Sequence, residues 1–153
     1  MPRKPAPNAS LLLGNQLCFA IYAAGHAFNR VYKPLLGRFG LTYPQYLVML
    51  VLWERDGLSV KEIGERLFLD SGTLTPLLKR LEAARLVKRT RSAADERQVL
   101  VALTTQGTGL REKAKGIIPP AVLAATGCSV GELSALQQSL VALREQLDAA
   151  AEG

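Results

Sequence analysis

The sequence predicts a mainly helical fold with one small β-hairpin. Three observations carry this. Three Ser/Thr-x-x-Glu/Gln capping boxes open helical runs at Thr42, Ser59 and Ser129. Leucines recur at helical spacing in the middle and at the end of the chain. Between them lie two β-compatible runs, Val87 to Arg91 and Gln98 to Leu103, joined by a polar connection.

Taken in order, a first helix is expected from about Leu11 to Phe39, with Ser10 as N-cap. Pro34 would kink or divide it, and Gly40-Leu41 ends it. Thr42-Tyr43-Pro44-Gln45 reads as the next helix start, with proline early in the first turn. The run Tyr46 to Arg55 follows, and Asp56-Gly57 stops it. Ser59-Val60-Lys61-Glu62 opens a short helix through about Leu67. Residues 68 to 72 form a turn, and the next helix carries Leu74, Leu77, Leu78 and Leu81. That helix starts either at a Ser71 cap or at Thr75, which would put Pro76 at its first position. The connection Ser92 to Arg97 is read as a basic, flexible hairpin tip. Thr104 or Thr105 begins a helix that Pro119-Pro120 should interrupt and Gly127 should end. After the Ser129 box, Leu133, Leu136, Leu140, Leu143 and Leu147 form one stripe, which packs inside the monomer or against a second chain.

Two short helices joined by a turn, followed by a basic hairpin, make a winged helix-turn-helix. The expected organisation is a flexible tail over residues 1–9 and a lobe over 43–104. Flanking helices, 10–42 and 105–153, form a dimerisation region. With 153 residues, 48% of them hydrophobic and 21% charged, the chain is of single-domain size and can bury a core without disulfides or metal. One histidine and two cysteines argue against a zinc site, a multi-histidine catalytic centre and a disulfide scaffold. No phosphate-binding glycine loop and no Ser-His-Asp set is found, so neither a cofactor nor an enzyme is expected.

Residues 5 to 29 contain no Asp, Glu, Lys or Arg, and Arg3 and Lys4 precede them, as in a signal peptide. Gly14, Asn15, Gln16 and His26 interrupt the apolar run, which therefore falls short of the roughly 20 residues a bilayer needs. A soluble helix in a cytoplasmic protein is the better reading, with no membrane partner and with both thiols reduced at rest.

The net charge is +6, and it is concentrated. Between residues 79 and 97, seven Lys and Arg face three acidic residues, an excess of four. Helices fit the DNA major groove, and cations around them neutralise phosphates. With the leucines turned to the core, the opposite face offers Ser71, Thr73, Thr75, Lys79 and Arg80 as groove contacts. Arg89, Arg91 and Arg97 are wing candidates. A solvated basic face with no partner is the bland alternative; its coincidence with a helix pair and a hairpin favours double-stranded DNA.

These residues also carry a resemblance. Ile63-Gly64-Glu65-Arg66-Leu67, Asp70-Ser71-Gly72-Thr73-Leu74-Thr75, Leu81-Glu82, Asp95-Glu96-Arg97 and Leu103-Thr104-Thr105-Gln106-Gly107 together resemble the multiple-antibiotic-resistance-regulator (MarR) family. Its Asp-x-Arg wing signature is met by Asp95 and Arg97. The resemblance implies a homodimer with intertwined first and last helices and a pseudo-palindromic DNA operator. One departure is Arg85, where the family usually has the glycine that eases a left-handed helix stop, so modest strain or a different cap is expected there.

The N-terminal half is similar to the organic-hydroperoxide-sensing (OhrR) subgroup. The likeness lies in Asn15-Gln16-Leu17-Cys18-Phe19-Ala20-Ile21-Tyr22, Tyr32-Lys33-Pro34-Leu35-Leu36, Leu41-Thr42-Tyr43-Pro44-Gln45-Tyr46 and Leu67 to Leu78. It implies that Cys18 is a peroxide-reactive thiolate and that Tyr32 and Tyr43, reaching across the dimer, donate hydrogen bonds to it. The chemistry agrees in part. Only a thiolate attacks a peroxide oxygen, and no Lys or Arg lies near Cys18 in sequence, so its support has to come from tertiary donors such as phenols. An apolar pocket of Phe19, Tyr22, Phe28, Met49 and Trp53 would favour organic hydroperoxides as inducers over hydrogen peroxide. The subgroup's two-cysteine branch has a resolving cysteine near Cys128, which implies capture of oxidised Cys18 by Cys128 of the other subunit. The alternatives are an inert Cys18, or its capture by a small cellular thiol. The expected function is a repressor that leaves its operator when Cys18 is oxidised. A regulator of the same fold taking a small phenolic ligand, and a thiol peroxidase enzyme, are the rival readings.

Overall fold

The computed structural model describes residues 8–153. Six helices and a three-stranded antiparallel sheet follow in the order α1 (Leu17–Gly37), α2 (Tyr43–Glu54), β1 (Leu58–Ser59), α3 (Val60–Leu67), α4 (Ser71–Ala83), β2 (Val87–Arg91), β3 (Val99–Leu103), α5 (Thr105–Thr126) and α6 (Val130–Glu152). This is the winged helix-turn-helix expected from the sequence. Of the tail expected over residues 1–9, all but Asn8 and Ala9 lie outside the described residues. Among the described residues no single helix is long and apolar enough to cross a membrane.

All three capping boxes form as their spacing predicts. Thr42, Ser59 and Ser129 each accept from the backbone N–H three residues on, and Gln45, Glu62 and Glu132 reach back to the cap N–H. The first helix departs from expectation. It starts at Leu17, after two single 3-10 turns over Ala9–Leu11 and Leu13–Asn15. The cause is local competition for backbone acceptors. Asn15 Nδ2 donates to the Ala9 carbonyl, and Gln16 Nε2 donates to the carbonyls of Ser10 and Leu12.

The prolines break nothing. Pro34 lies within α1, Pro76 within α4, and Pro119 and Pro120 within α5, which runs unbroken to Thr126. The carbonyls that Pro119 and Pro120 leave without an intrahelical donor belong to Lys115 and Gly116, both exposed, so water can take the lost bonds. Neither expected start of α4 holds. Its cap is Asp70, whose carboxylate accepts from Thr73 N–H at 2.7 Å.

The chain divides into two compact units, one through Lys113 and one from Ala114. In the first, Leu36, Leu41, Val48, Met49, Leu52, Ile63, Leu74, Leu78, Leu81 and Val101 form the buried interior. Each buried Leu, Ile, Val or Met contributes about 1.5–3 kcal/mol relative to leaving it exposed. β3 lies between β1 and β2, with Val101 opposite both Leu58 and Arg89. The two-residue β1 escapes sequence reading because it is too short to show a period. It is fixed by Asp56, whose carboxylate accepts from the N–H groups of Gly57 and Leu103, both at 2.8 Å. In the second unit α6 has no buried residue.

Candidate functional site

The helix-turn-helix is α3, a three-residue turn and α4. The turn folds tightly onto α3 because residue 64 is glycine: a Cβ there would sit 2.6 Å from the Leu69 carbonyl oxygen, and Leu69 N–H donates to the Gly64 carbonyl. Leu74, Leu78 and Leu81 anchor α4 in the interior. Ser71, Thr73, Lys79 and Arg80 stand exposed on its other faces. Ser71, Thr75 and Lys79, four apart, run in one line along the helix. Thr75 is half-buried and donates its hydroxyl to the Ser71 carbonyl at 2.7 Å. Backbone N–H donation from Thr73 holds the Asp70 carboxyl below the usual carboxylate range.

The wing is more ordered than expected. The buried Ser92 hydroxyl accepts from the N–H groups of Ala94 and Asp95, and the Asp95 carboxylate accepts from Arg97 N–H at 3.0 Å. Ser92 N–H donates to the Gln98 carbonyl, and Gln98 N–H to that of Asp95. The Asp-x-Arg pair thus shapes the tip, leaving Arg97 exposed. Arg91 donates to the Glu96 carbonyl at 3.0 Å from an exposed position. Arg89 departs from expectation. Its guanidinium pairs with Glu82 at 3.1 Å, and its N–H also donates to that carboxylate, so it clips β2 to α4 instead of facing out. Those bonds lower the Glu82 carboxyl, the Arg89 backbone N–H foremost.

Cys18 is the second residue of α1 and is exposed. The late helix start corrects the expected position: the thiol lies in the first helical turn and not in the middle of the helix. The cap residue Gln16 makes no side-chain cap bond there. Tyr32 lies fourteen residues farther along the same helix, about 21 Å away at 1.5 Å per residue. There it packs against Tyr43 and Tyr46, with ring centroids 4.9 and 5.9 Å away. Burial, then the neighbouring phenols of Tyr43 and Tyr46, push Tyr32 up to about 12. Burial likewise raises Tyr43 and Tyr46. All three phenols remain neutral O–H donors through the physiological range.

An open groove of about 350 Å³ lies beside them, lined by Ile21, Tyr22, Gly25, His26, Phe28, Asn29 and Tyr43. It gathers Tyr22 and Phe28 of the expected pocket but not the rest. Met49 is wholly buried in the interior, because α2 is apolar on most faces. Trp53 donates its indole N–H to the Gly107 carbonyl, and Phe19 lies on α1 away from the groove lining. Sequence reading missed Tyr46 and the groove role of His26, whose ring packs edge-on against Tyr22 at 4.4 Å. The three-residue step from Tyr43 to Tyr46 along one helix face was the available signal. Cys128 lies in the junction between α5 and α6, exposed, its thiol donating to the Thr126 carbonyl at 3.4 Å. Among the described residues no cluster of three or more His, Cys, Asp or Glu could hold a metal ion.

Apolar side chains crowd the surface of the lone chain. Leu17 is 62% exposed and Tyr22 65% on α1, and Leu136 is 57% and Leu147 60% on α6. In each helix taken by itself, these large apolar side chains are left to water in the single chain.

The chain resembles proteins of known role. The family model described as transcriptional regulator SarA/Rot matches residues 30–114. The chain is 58% identical over 139 residues to the HTH-type transcriptional regulator TtmR of Methylorubrum extorquens, covering 91% of this chain and 71% of that protein. It is 50% identical over 135 residues to the organic hydroperoxide resistance transcriptional regulator of Bacillus subtilis, covering 88% of this chain and 91% of the relative. Among solved structures, reduced AbfR bound to DNA superposes with a TM-score of 0.75 at 37% identity, covering 90% of this chain and 96% of that one. The disulfide form of AbfR gives 0.63 at 36%, covering 94% and 95%. The family match over more than half of the chain and the identity to both relatives agree with the winged helix described above: the chain belongs to the winged-helix transcriptional regulators of the MarR and SarA/Rot type, and is a regulator rather than an enzyme.

Proposed function

We propose that the protein is a homodimeric, redox-responsive repressor that binds a pseudo-palindromic DNA operator when reduced and leaves it when an organic hydroperoxide oxidises Cys18. One observation carries the reading. Cys18 stands at the start of α1 and the neutral phenol of Tyr32, which packs against Tyr43, stands about 21 Å farther along the same helix, so only a second copy can bring the Tyr32 phenol to the thiol. Residues 10–42 and 105–153, with their exposed leucines and aromatics, form the dimerisation region in this reading. Residues 43–104 form the DNA lobe. Ser71, Thr73, Thr75, Lys79 and Arg80 enter the major groove, and Arg91 and Arg97, the latter placed by Asp95, bring the wing to the backbone.

The Cys18 thiolate attacks one peroxide oxygen. The O–O bond breaks, and the alkoxide leaves and takes a proton to become an alcohol, while Cys18 becomes a sulfenic acid. The Cys128 thiol of the partner subunit then attacks the sulfenic sulfur, forming a disulfide and releasing water. The bond needs the two alpha carbons within roughly 7 Å, and the helical movement that brings them there shifts the spacing of the two lobes. The supports are the two exposed thiols and the relatives named for hydroperoxide resistance and for reduced and disulfide states.

The test is operator binding with and without cumene hydroperoxide for wild type, Cys18→Ser and Cys128→Ser, beside a non-reducing gel. Wild type should release DNA and form a covalent dimer. Both variants should lack that dimer, and Cys18→Ser should stay bound. A wild type without the covalent dimer refutes the linkage, and faster oxidation by hydrogen peroxide refutes the apolar preference. The 350 Å³ groove favours a second reading, a small phenolic inducer held by Tyr22, His26, Phe28 and Asn29. In that case Cys18→Ser would respond like wild type.

A further inference from the structure

The connection from β3 to α5 is one residue, Thr104, and its N–H, hydroxyl and carbonyl are all engaged, the carbonyl by Thr108 N–H. Its N–H donates to the Leu86 carbonyl at 3.1 Å, and its hydroxyl donates to the Arg85 carbonyl at 2.6 Å. The same hydroxyl oxygen accepts from Gly107 N–H at 3.0 Å. Trp53, the only tryptophan in the chain, donates its indole N–H to the Gly107 carbonyl at 2.9 Å. A Cβ at residue 107 would run into the Leu86 carbonyl, so the first turn of α5 comes this close only because residue 107 is glycine. Arg85 and Leu86 close the C-terminal end of α4, where Leu86 N–H donates to the Leu81 carbonyl. The end of α2, the end of α4 and the start of α5 therefore meet at Gly107, through bonds that leave no slack segment between them.

We infer that Trp53, Thr104 and Gly107 are positioning residues that lock the first turn of α5 to the recognition helix α4, so that a displacement of α5 re-aims α4 instead of being absorbed at the connection. The inference rests on the redox reading above. α5 is continuous from Thr105 to Thr126, and Cys128 lies two residues beyond it, so a new bond at Cys128 loads that helix. A loose connection would dissipate the load, and a bolted one delivers it to the surface that reads DNA.

The test uses the full-length dimer and a DNA duplex selected from a random pool by the reduced wild-type protein. W53F removes the indole donor and T104V removes the hydroxyl, while T104S keeps it. Both W53F and T104V should bind the duplex within about threefold of wild type when reduced and form the disulfide with cumene hydroperoxide, yet lose at least about tenfold of the wild-type drop in affinity on oxidation. T104S should switch like wild type. The Trp53 indole N–H, a single resonance in a nitrogen–proton spectrum, should stay protected from solvent exchange in both redox forms. If W53F proves unfolded, T104V and the indole protection decide. Variants that release DNA as fully as wild type, or an indole N–H that exchanges freely once oxidised, overturn the inference alone. A wild type that fails to switch overturns the redox reading and this inference with it.

Discussion

Replacing Arg85 with glycine is expected to stabilise the protein. Leu86 N–H donates to the Leu81 carbonyl and Arg85 N–H to that of Glu82, with Leu81 and Leu86 both buried. This is the Schellman stop, and it sets the residue after the helix in the left-handed region, where Arg85 has φ 63°. The same stop ends α1, where Leu41 N–H donates to the Leu36 carbonyl, and there the left-handed residue is Gly40 at φ 66°. So the anticipated strain at Arg85 is present, and the cap is of the usual kind. A residue with a Cβ loses about 1–2 kcal/mol in that conformation. Glycine returns about 0.4–1 kcal/mol through the extra freedom of the unfolded chain. The net gain is about 0.5–1 kcal/mol, or about 1–4 °C in Tm for a chain of this length. The Arg85 side chain is exposed, and its carbonyl keeps the Thr104 bond whatever the side chain. Thermal unfolding followed by circular dichroism, at fixed protomer concentration because dimerisation shifts Tm, reads the effect. An unchanged or lower Tm would refute the strain argument.

Two further outcomes follow from titration. The carboxyls of Glu62, Asp70, Glu82 and Glu132 are held low, chiefly by backbone N–H donors at Ser59, Thr73, Arg89 and Ser129. Depressed folded values stabilise the fold above the unfolded range near 4, and that contribution is lost as pH falls through the folded values. Tm should be flat from pH 7 to 5 and drop below about pH 4, and less steeply for Glu62→Gln; a Glu62→Gln profile parallel to wild type would contradict this. Tyr32 should ionise near 12, against about 10 for a free phenol, so its contribution is present below pH 10 and lost between 10 and 12. Ultraviolet titration of wild type against Tyr32→Phe isolates that phenol, and an ionisation near 10 would show that the desolvation is absent.

Local chemistry was legible wherever the interaction is local. Capping boxes at Thr42, Ser59 and Ser129 closed as spaced, because donor and acceptor are three residues apart and need no tertiary partner. Leu74, Leu78 and Leu81 of α4 were buried as their period required, and Leu77 is half-buried. Prolines misled because a lost hydrogen bond is fatal only where its carbonyl cannot reach water, and exposure is not written in the sequence. Ser10 and Ser71 looked like caps, but the side chains of Asn15, Gln16 and Asp70 took the backbone groups that decide the helix starts.

The sequence by itself determined the helix-turn-helix, the wing, the concentration of positive charge around α4 and the two thiols, since each depends on residue type and near spacing. Tertiary structure alone decided which cations stay at the surface without a carboxylate partner. Arg89 is spent on Glu82, while Arg91 and Arg97 stay at the surface, because ion pairing depends on which strand lies beside which helix. It also decided that Trp53 joins α2 to α5 rather than lining a pocket, and that Cys18 stands in the first turn of the helix that carries the neutral phenol of Tyr32. The Trp53 bond spans 54 residues and the Arg89 pair joins a strand to a helix, and pattern along the chain does not encode which elements lie side by side.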